Sequence, residues 1–317
     1  MNSELTVLVV SFVMTVLLAK IIIPILRKLK VEQIERDDGP SSHLKKQGTP
    51  TMGGIIIGIA IIIGGIFISI INKDAIPLVL VSVGFGLIGC IDDATKLKYR
   101  NTKGISPTSK MLGLLVISII YALFLANNVE IGTETIIPII KKYINIPMYL
   151  YIPFVIFTML ATTNAINLTD GIDGLSSSVS LIIICCLTAI GILKNEQEIA
   201  LFGALVSGVC LGFLMFNLHP AKIFMGDTGS LLLGGVIVTM ALYLKVPFLL
   251  LIIAIIPVLE TLSVIIQVMY FRKTGNRIFK MAPIHHHFEL LGWTESTVVS
   301  VFSIITLIAS IIGIFII

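Results

Sequence analysis

What most limits the folds open to this chain is its runs of apolar residues with hardly a charge, such as "TVLLAKIIIPIL" and "IIIGIAIIIGGIFISII". Each approaches the ~20 residues that cross a bilayer as a helix. Only 13% of the 317 residues are charged and 56% are hydrophobic, whereas a soluble domain carries roughly 25% charged residues. A soluble helical bundle is therefore the weaker reading. The chain reads as an all-α, polytopic membrane protein forming one transmembrane domain over residues 1–317.

The hydrophobic pattern places ten spans: Leu5–Leu26, Met52–Ile71, Ile76–Ile91, Met111–Ala126, Tyr149–Ile166, Leu175–Leu193, Ile199–Phe216, Leu231–Leu244, Pro247–Tyr270 and Thr297–Ile317. The third, fourth and eighth are short and are expected to extend into their flanks. Pro257 predicts a kink in the ninth, because proline removes a backbone donor and crowds the preceding turn. The outer segment "NNVEIGTETIIPIIKKYINIPMY" suits either a short β-hairpin or a surface-lying helix. The first span begins almost at Met1 without a small-residue cleavage site, which predicts an uncleaved segment. Cys90, Cys185, Cys186 and Cys210 lie in apolar runs without metal-type spacing and read as small core residues.

Lysine and arginine set the orientation. Loops after spans one, three, five, seven and nine hold sixteen of them, and the alternate loops five. The positive-inside rule then puts the odd loops in the cytoplasm and both termini outside. Acids, asparagines and histidines played no part in that tally, yet their clusters all fall on the odd loops. "HLKKQGTPTMGG" supplies His43, Lys45, Lys46 and Thr51; "GCIDDATK" supplies Asp92, Asp93 and Lys96. "TTNAINLTDGIDG" supplies Asn164, Asn167, Asp170 and Asp173; "FNLHPAKIFMGDTGS" supplies Asn217, His219, Lys222 and Asp227. "MAPIHHHFE" supplies His285, His286, His287 and Glu289. A single site on the cytoplasmic face follows as the leading expectation. Carboxylates at mid-bilayer cost ~2.5–3.5 kcal/mol each on insertion scales, and much less at a wet helix end.

Carboxylates from separate helices suit a hard cation such as Mg²⁺, which completes its shell with water and phosphate oxygens. Lysines on the same face add the counter-charge that a polyphosphate needs, so the ingredients are those of phosphoryl transfer. Asp92 and Lys96 are neighbours if the third helix continues past the membrane. Asp92 and Asp93 diverge by about 100° on that helix, which points to different roles. Asn167, Asp170 and Asp173 share one face if helical, although Gly171 and Gly174 are placed to break the helix there. Three consecutive histidines suit a phosphate or sugar contact, with zinc as the alternative. Glu260, inside the ninth span, is either a buried hydrogen-bond partner or a wall of the site.

Taken together, "KKQGTPTMGG", "DDATK", "NAINLTDGIDGL", "FMGDTGSL" and "APIHHHFELLGW" closely resemble the polyprenyl-phosphate N-acetylhexosamine-1-phosphate transferases. "PIHHHFE" favours their muramoyl-pentapeptide branch. The resemblance covers nearly the whole chain. It implies transfer of phospho-N-acetylmuramoyl-pentapeptide from its UDP donor to undecaprenyl phosphate, giving lipid I and UMP at the bacterial plasma membrane. It also implies Mg²⁺, a homodimer among membrane lipids, and no nucleic-acid partner. By the same resemblance Asp227 is a Mg²⁺ ligand and Asp93 helps to hold the metal or its waters. Asp92 is a general base or a nucleophile, and Lys96 balances phosphate charge. Asn167, Asp170 and Asp173 form the nucleoside wall with Asn217 nearby, and Phe224 stacks on uracil. Lys46 and Thr51 border the sugar or phosphate, Gln267 is a polar contact, His285 touches the diphosphate or sugar, and His286 lies close by. A sister transferase for another UDP-amino sugar, an anion transporter and a non-catalytic assembly subunit are the rivals. One-sided acids count against transport, since transporters place such groups near the midplane.

Overall fold

The computed structural model describes residues 3–31, 48–99 and 104–317. Lys46, with His43 and Lys45, lies outside the described residues. Ten helices among the described residues are long and apolar enough to cross a membrane. They are α1 (Ser3–Lys28), α2 (Gly54–Ile71), α3 (Ile76–Tyr99), α4 (Pro107–Asn127), α5 (Met148–Thr169), α6 (Leu175–Lys194), α7 (Gln197–Asn217), α8 (Gly226–Tyr243), α10 (Ile255–Thr274) and α12 (Glu295–Ile316). Two short helices, α9 (Leu250–Ile253) and α11 (Ile284–Glu289), complete the set.

Each expected span is there, with informative changes at its ends. α3 runs on to Tyr99, eight residues past the apolar stretch, and carries Asp92, Asp93 and Lys96 as helical residues. α8 starts at Gly226, five residues before the hydrophobic run, so Asp227 falls in its first turn. The ninth span is broken rather than kinked. The interruption falls at Ala254, between α9 and α10. Pro257 explains the position: its ring crowds the carbonyl four residues earlier and supplies no N–H to it.

Of the two forms expected for the outer segment, the hairpin is the one found, a small exception to an otherwise helical fold. The segment between α4 and α5 forms an antiparallel hairpin, β1 (Glu134–Ile137) with β2 (Lys142–Asn145), Glu134 opposite Asn145. Ile136 N donates to Lys245 O just past α8, and Ile139 N donates to Ile316 O at the end of α12. The hairpin thus covers the C-terminal end of α8, roughly 27 Å along the helix axis from Gly226 at ~1.5 Å per residue.

α8 is the axis of the bundle, buried without interruption from Thr228 to Tyr243. Glycine makes this close packing possible. A Cβ at Gly89 of α3 would collide with the Asp227 carbonyl, and one at Gly54 of α2 with the Gly229 backbone. Small residues at helix crossings serve this purpose where lipid offers no hydrophobic drive between helices. The outer helices do the reverse. Leu5, Val9, Leu17 and Ile21 of α1 and Ile304, Ile308 and Ile312 of α12 are exposed, a surface matched to acyl chains rather than water. Several buried hydroxyls are satisfied within their own helices, as where Thr15, Ser118 and Thr239 donate to the carbonyl four residues back.

Candidate active site

Helices α3 and α5 end where α8 and α12 begin, so their polar termini meet at one end of the bundle. Asp227 is the meeting point. Its Oδ2 accepts from Lys96 Nζ and from Lys110 Nζ, each at 2.7 Å. Its Oδ1 accepts from Asn167 Nδ2 at 2.8 Å, and the same amide donates to Ser230 Oγ at 2.8 Å. Asp92, only 3% exposed, faces the same ammonium groups, with its Oδ2 at 2.8 Å from Lys96 Nζ and 3.7 Å from Lys110 Nζ. Ile105 N donates to its other oxygen at 2.9 Å. The i,i+4 pairing of Asp92 with Lys96 is the contact expected from a continued α3.

Asp93 also lies near Lys96, its Oδ1 3.6 Å from Nζ, but its hydrogen bonds go to α8. Thr228 N and Thr228 Oγ1 donate to its Oδ2 at 2.9 and 2.7 Å, and Asp227 N donates to its Oδ1 at 3.2 Å. A carboxylate from α3 therefore caps the N-terminus of α8, satisfying donors that have no intrahelical acceptor and complementing the positive end of the helix dipole. The cap fixes the direction in which Asp227 leaves the first turn. Thr51 lies alongside; a Cβ on Gly226 would stand 2.7 Å from Asp93 Oδ2 and 3.3 Å from Thr51 Oγ1.

Asp92, Asp93 and Asp227 each offer a carboxylate oxygen within 4.8 Å of the others. Three oxygen donors without sulfur or imidazole fit a hard divalent cation. The two lysines already show that the cluster draws positive charge.

The segment after α5 departs from the expected single face. α5 stops at Thr169 and Gly174 adopts φ +77°, so Asn167, Asp170 and Asp173 point to different surroundings. Asn167 joins Asp227, whereas Asp173 Oδ2 pairs with His219 Nδ1 at 3.0 Å and accepts from Ala221 N at 3.0 Å. Asp170 sits between them. Burial, then the charges of Asp227, Asp93 and Asp173, push its carboxyl up to about 8.

The remaining expected residues are held by the protein itself. Asn217 is buried, its carbonyl accepting from Ser177 Oγ at 2.7 Å and its amide donating to Ile223 O at 3.0 Å. Gln267 accepts from Ile278 N and Phe279 N and donates to Phe279 O, which pins the loop after α10. Phe224 is half-buried, and its backbone is bracketed by Pro50 O and Gly53 N. The three histidines face three ways. His286 Nδ1 meets Glu289 Oε2 at 2.7 Å, and His287 Nδ1 accepts from Lys280 N at 3.1 Å. His285 and Glu260 are both 0% exposed and lie 3.1 Å apart. Glu260 is thus the buried partner rather than a wall. Gly171 leaves room for this imidazole, since a Cβ there would fall on His285 Nε2. No common metal site joins the three histidines among the described residues.

Sequence reasoning passed over two residues. Lys110 counted only as a loop charge. A lysine in the first turn of a helix capped by Ser106 opposes the helix dipole, and that mismatch was the available signal of a partner. Glu295 hid for the opposite reason, because an acid just after a Thr294 cap is what any helix start favours.

Ten apolar helices among the described residues, with polar ends that converge on acids and lysines, define a class: a multi-pass membrane protein with a charged site at one end of its bundle. The Glycosyl transferase family 4 model matches residues 75–245, and a Phospho-N-acetylmuramoyl-pentapeptide-transferase signature matches residues 46–57. The phospho-N-acetylmuramoyl-pentapeptide-transferase of Clostridium botulinum (strain Eklund 17B / Type B) is 49% identical over 310 residues, covering 98% of this chain and 95% of that protein. Those of Acetivibrio thermocellus and Halalkalibacterium halodurans are 46% and 45% identical, each over 98% of this chain and 94% and 96% of their own lengths. The chain belongs to the phospho-N-acetylmuramoyl-pentapeptide-transferase family.

Proposed function

We propose that this chain transfers phospho-N-acetylmuramoyl-pentapeptide from its UDP donor to undecaprenyl phosphate, releasing UMP and forming lipid I for peptidoglycan. The reaction is Mg²⁺-dependent, and the site faces the cytoplasm of a bacterial plasma membrane with both chain termini outside. Residues 1–317 act as one domain within a homodimer. The observation that carries this reading is the convergence of Asp92, Asp93, Asp227, Lys96 and Lys110 at one end of the bundle. A lipid phosphate and a soluble nucleotide sugar can meet only at such an end.

An oxygen of the lipid phosphate forms a bond to the sugar-bearing phosphorus, the diphosphate P–O bond breaks, and UMP leaves with that bond's electrons. Asp227, with Asp92 and Asp93 beside it, would hold Mg²⁺; bound there, the ion neutralises diphosphate oxygens. Lys96 and Lys110, which share one oxygen of Asp227, supply further positive charge to the phosphates. Asp92 either takes a proton from the lipid phosphate or attacks the phosphorus itself in a two-step route. Asp93 holds α8, and so Asp227, in place. Asn167 orients Asp227. Asp170, Asp173 and Phe224 form the nucleoside side, which Asn217 supports from behind. Thr51 and Lys46 border the sugar or phosphate. Gln267 and His285 shape the loop that brings His286 to the diphosphate or sugar.

UMP release by the purified chain tests this. The expected result is release that needs both UDP-N-acetylmuramoyl-pentapeptide and a polyprenyl phosphate and stops with EDTA. Release without the lipid, or in excess EDTA, would end the proposal.

A further inference from the structure

A second polar cluster stands beside the nucleoside side of the site, built from Asp173, His219 and Glu295. Asp173 comes from the turn after α5, His219 from the segment after α7, and Glu295 from the first turn of α12. Both acids are buried, whereas the His219 side chain is 44% exposed. The contacts link the three residues to one another and to main chain. Asp173 Oδ2 lies 3.0 Å from His219 Nδ1 and accepts from Ala221 N at 3.0 Å. Glu295 Oε2 accepts from Asp173 N at 3.1 Å and lies 3.8 Å from His219 Nδ1.

Two of these bonds are to main chain, so the cluster fixes backbone as well as side chains. Through Asp173 N it holds the turn that begins at Asp170. Through Ala221 N it holds the segment that runs on to Phe224. These two stretches carry the nucleoside wall and the proposed uracil-stacking ring. The hydrogen bonds and ion pairs that join Asp173, His219 and Glu295 are separate from those that join Asp227 to Lys96 and Lys110.

We propose that Glu295 and His219 are positioning residues for nucleotide-donor recognition, acting through Asp173 and the Ala221–Phe224 segment, so that the start of the last membrane helix sets donor affinity. The inference rests on the donor-side role of Asp173 and Phe224 proposed above. It separates binding from chemistry: the brace orders the donor surface and leaves the reacting atoms alone. Losing a hydrogen bond to a charged group costs about 1.5–3 kcal/mol, which in affinity is roughly tenfold to a hundredfold.

The test uses the full chain in detergent, with Glu295→Ala, Glu295→Gln and His219→Ala. KM is measured for UDP-N-acetylmuramoyl-pentapeptide and for the polyprenyl phosphate, together with kcat and the Kd of UMP by calorimetry. Glu295→Ala and His219→Ala are expected to raise donor KM and UMP Kd by roughly tenfold or more. Lipid KM and kcat should stay within about threefold, the range of a neutral surface change. Glu295→Gln keeps an oxygen for Asp173 N and should fall between wild type and Glu295→Ala. Because removal of the carboxylate can prevent folding, Glu295→Gln and His219→Ala decide the matter in that event. Donor KM unchanged in an active enzyme, or donor and lipid KM rising together, overturns the positioning role and leaves the transferase reading standing. A wild-type chain that releases no UMP overturns that reading itself.

Discussion

The two acid clusters at this end of the bundle hold their charge in different ways. Around Asp227 the charged partners are ammonium groups on long side chains, Lys96 from α3 and Lys110 from α4, beside the neutral amide of Asn167. Around Asp173 they are an imidazole and the backbone N–H of Ala221. Lysine ammoniums at the ends of flexible stems can swing from a carboxylate to an incoming phosphate or give way to a divalent ion. Main-chain donors cannot move without moving the loop. The first cluster is therefore suited to chemistry and the second to shape. Asp93 marks the boundary between them: it sits among the chemical acids yet receives two backbone N–H groups from the start of α8.

The largest effect should come from the acid most exposed to ion exchange. Asp227→Asn is expected to lower Mg²⁺-dependent UMP release by roughly 10²–10³ or more, with an unfolding transition in detergent close to wild type. Full activity at ordinary Mg²⁺ would place the metal elsewhere. Asp93→Asn sharpens the contrast, because an amide cannot accept as its carboxylate does from three donors. It should lose activity and also about 1–3 kcal/mol of stability, seen as a lower melting temperature. A variant that loses activity alone would return Asp93 to the chemical group.

Smaller effects belong to the donor side. Phe224→Ala should raise the KM for the UDP donor by roughly tenfold, in line with ~1–3 kcal/mol for a base stacked on an aromatic ring, while the lipid KM stays put; parallel losses would argue against stacking. A prediction read in stability rather than turnover concerns Asp170, whose carboxyl keeps its proton to about pH 8 in the fold and only to about pH 4 in the unfolded chain. Across that window the unfolded chain has already released its proton, so stability of EDTA-treated protein should decline as pH rises from about 4 to 8. Asp170→Asn should flatten the decline in melting temperature, and an unchanged slope would show that another group sets it.

Much of this was legible in the chain. Uncharged apolar runs of bilayer length define the ten spans, because lipid solvation leaves few other ways to satisfy a backbone. Asp92, Asp93, Asn167 and Asp227 stood out as polar residues abutting such runs, and the structure brings them together. What could not be read are the pairings that only packing creates. Asp93 as a cap for α8 needs the Gly89 crossing. Lys110 reaches Asp227 only because α4 starts beside it. His285 looked like a reaching side chain, and its burial depends on the missing side chain of Gly171. The break at Ala254 rather than Pro257 follows from the carbonyl the proline ring crowds, a three-residue offset that periodicity does not show.

The central claim is that the acids around Asp227 hold a divalent ion while those around Asp173 do not. Mn²⁺ binding followed by electron paramagnetic resonance measures this on full-length protein in detergent. The account predicts an ion that Mg²⁺ displaces, that Asp227→Asn loses, and that Glu295→Ala retains. Equal binding in wild type and Asp227→Asn, or loss in Glu295→Ala alone, would contradict it.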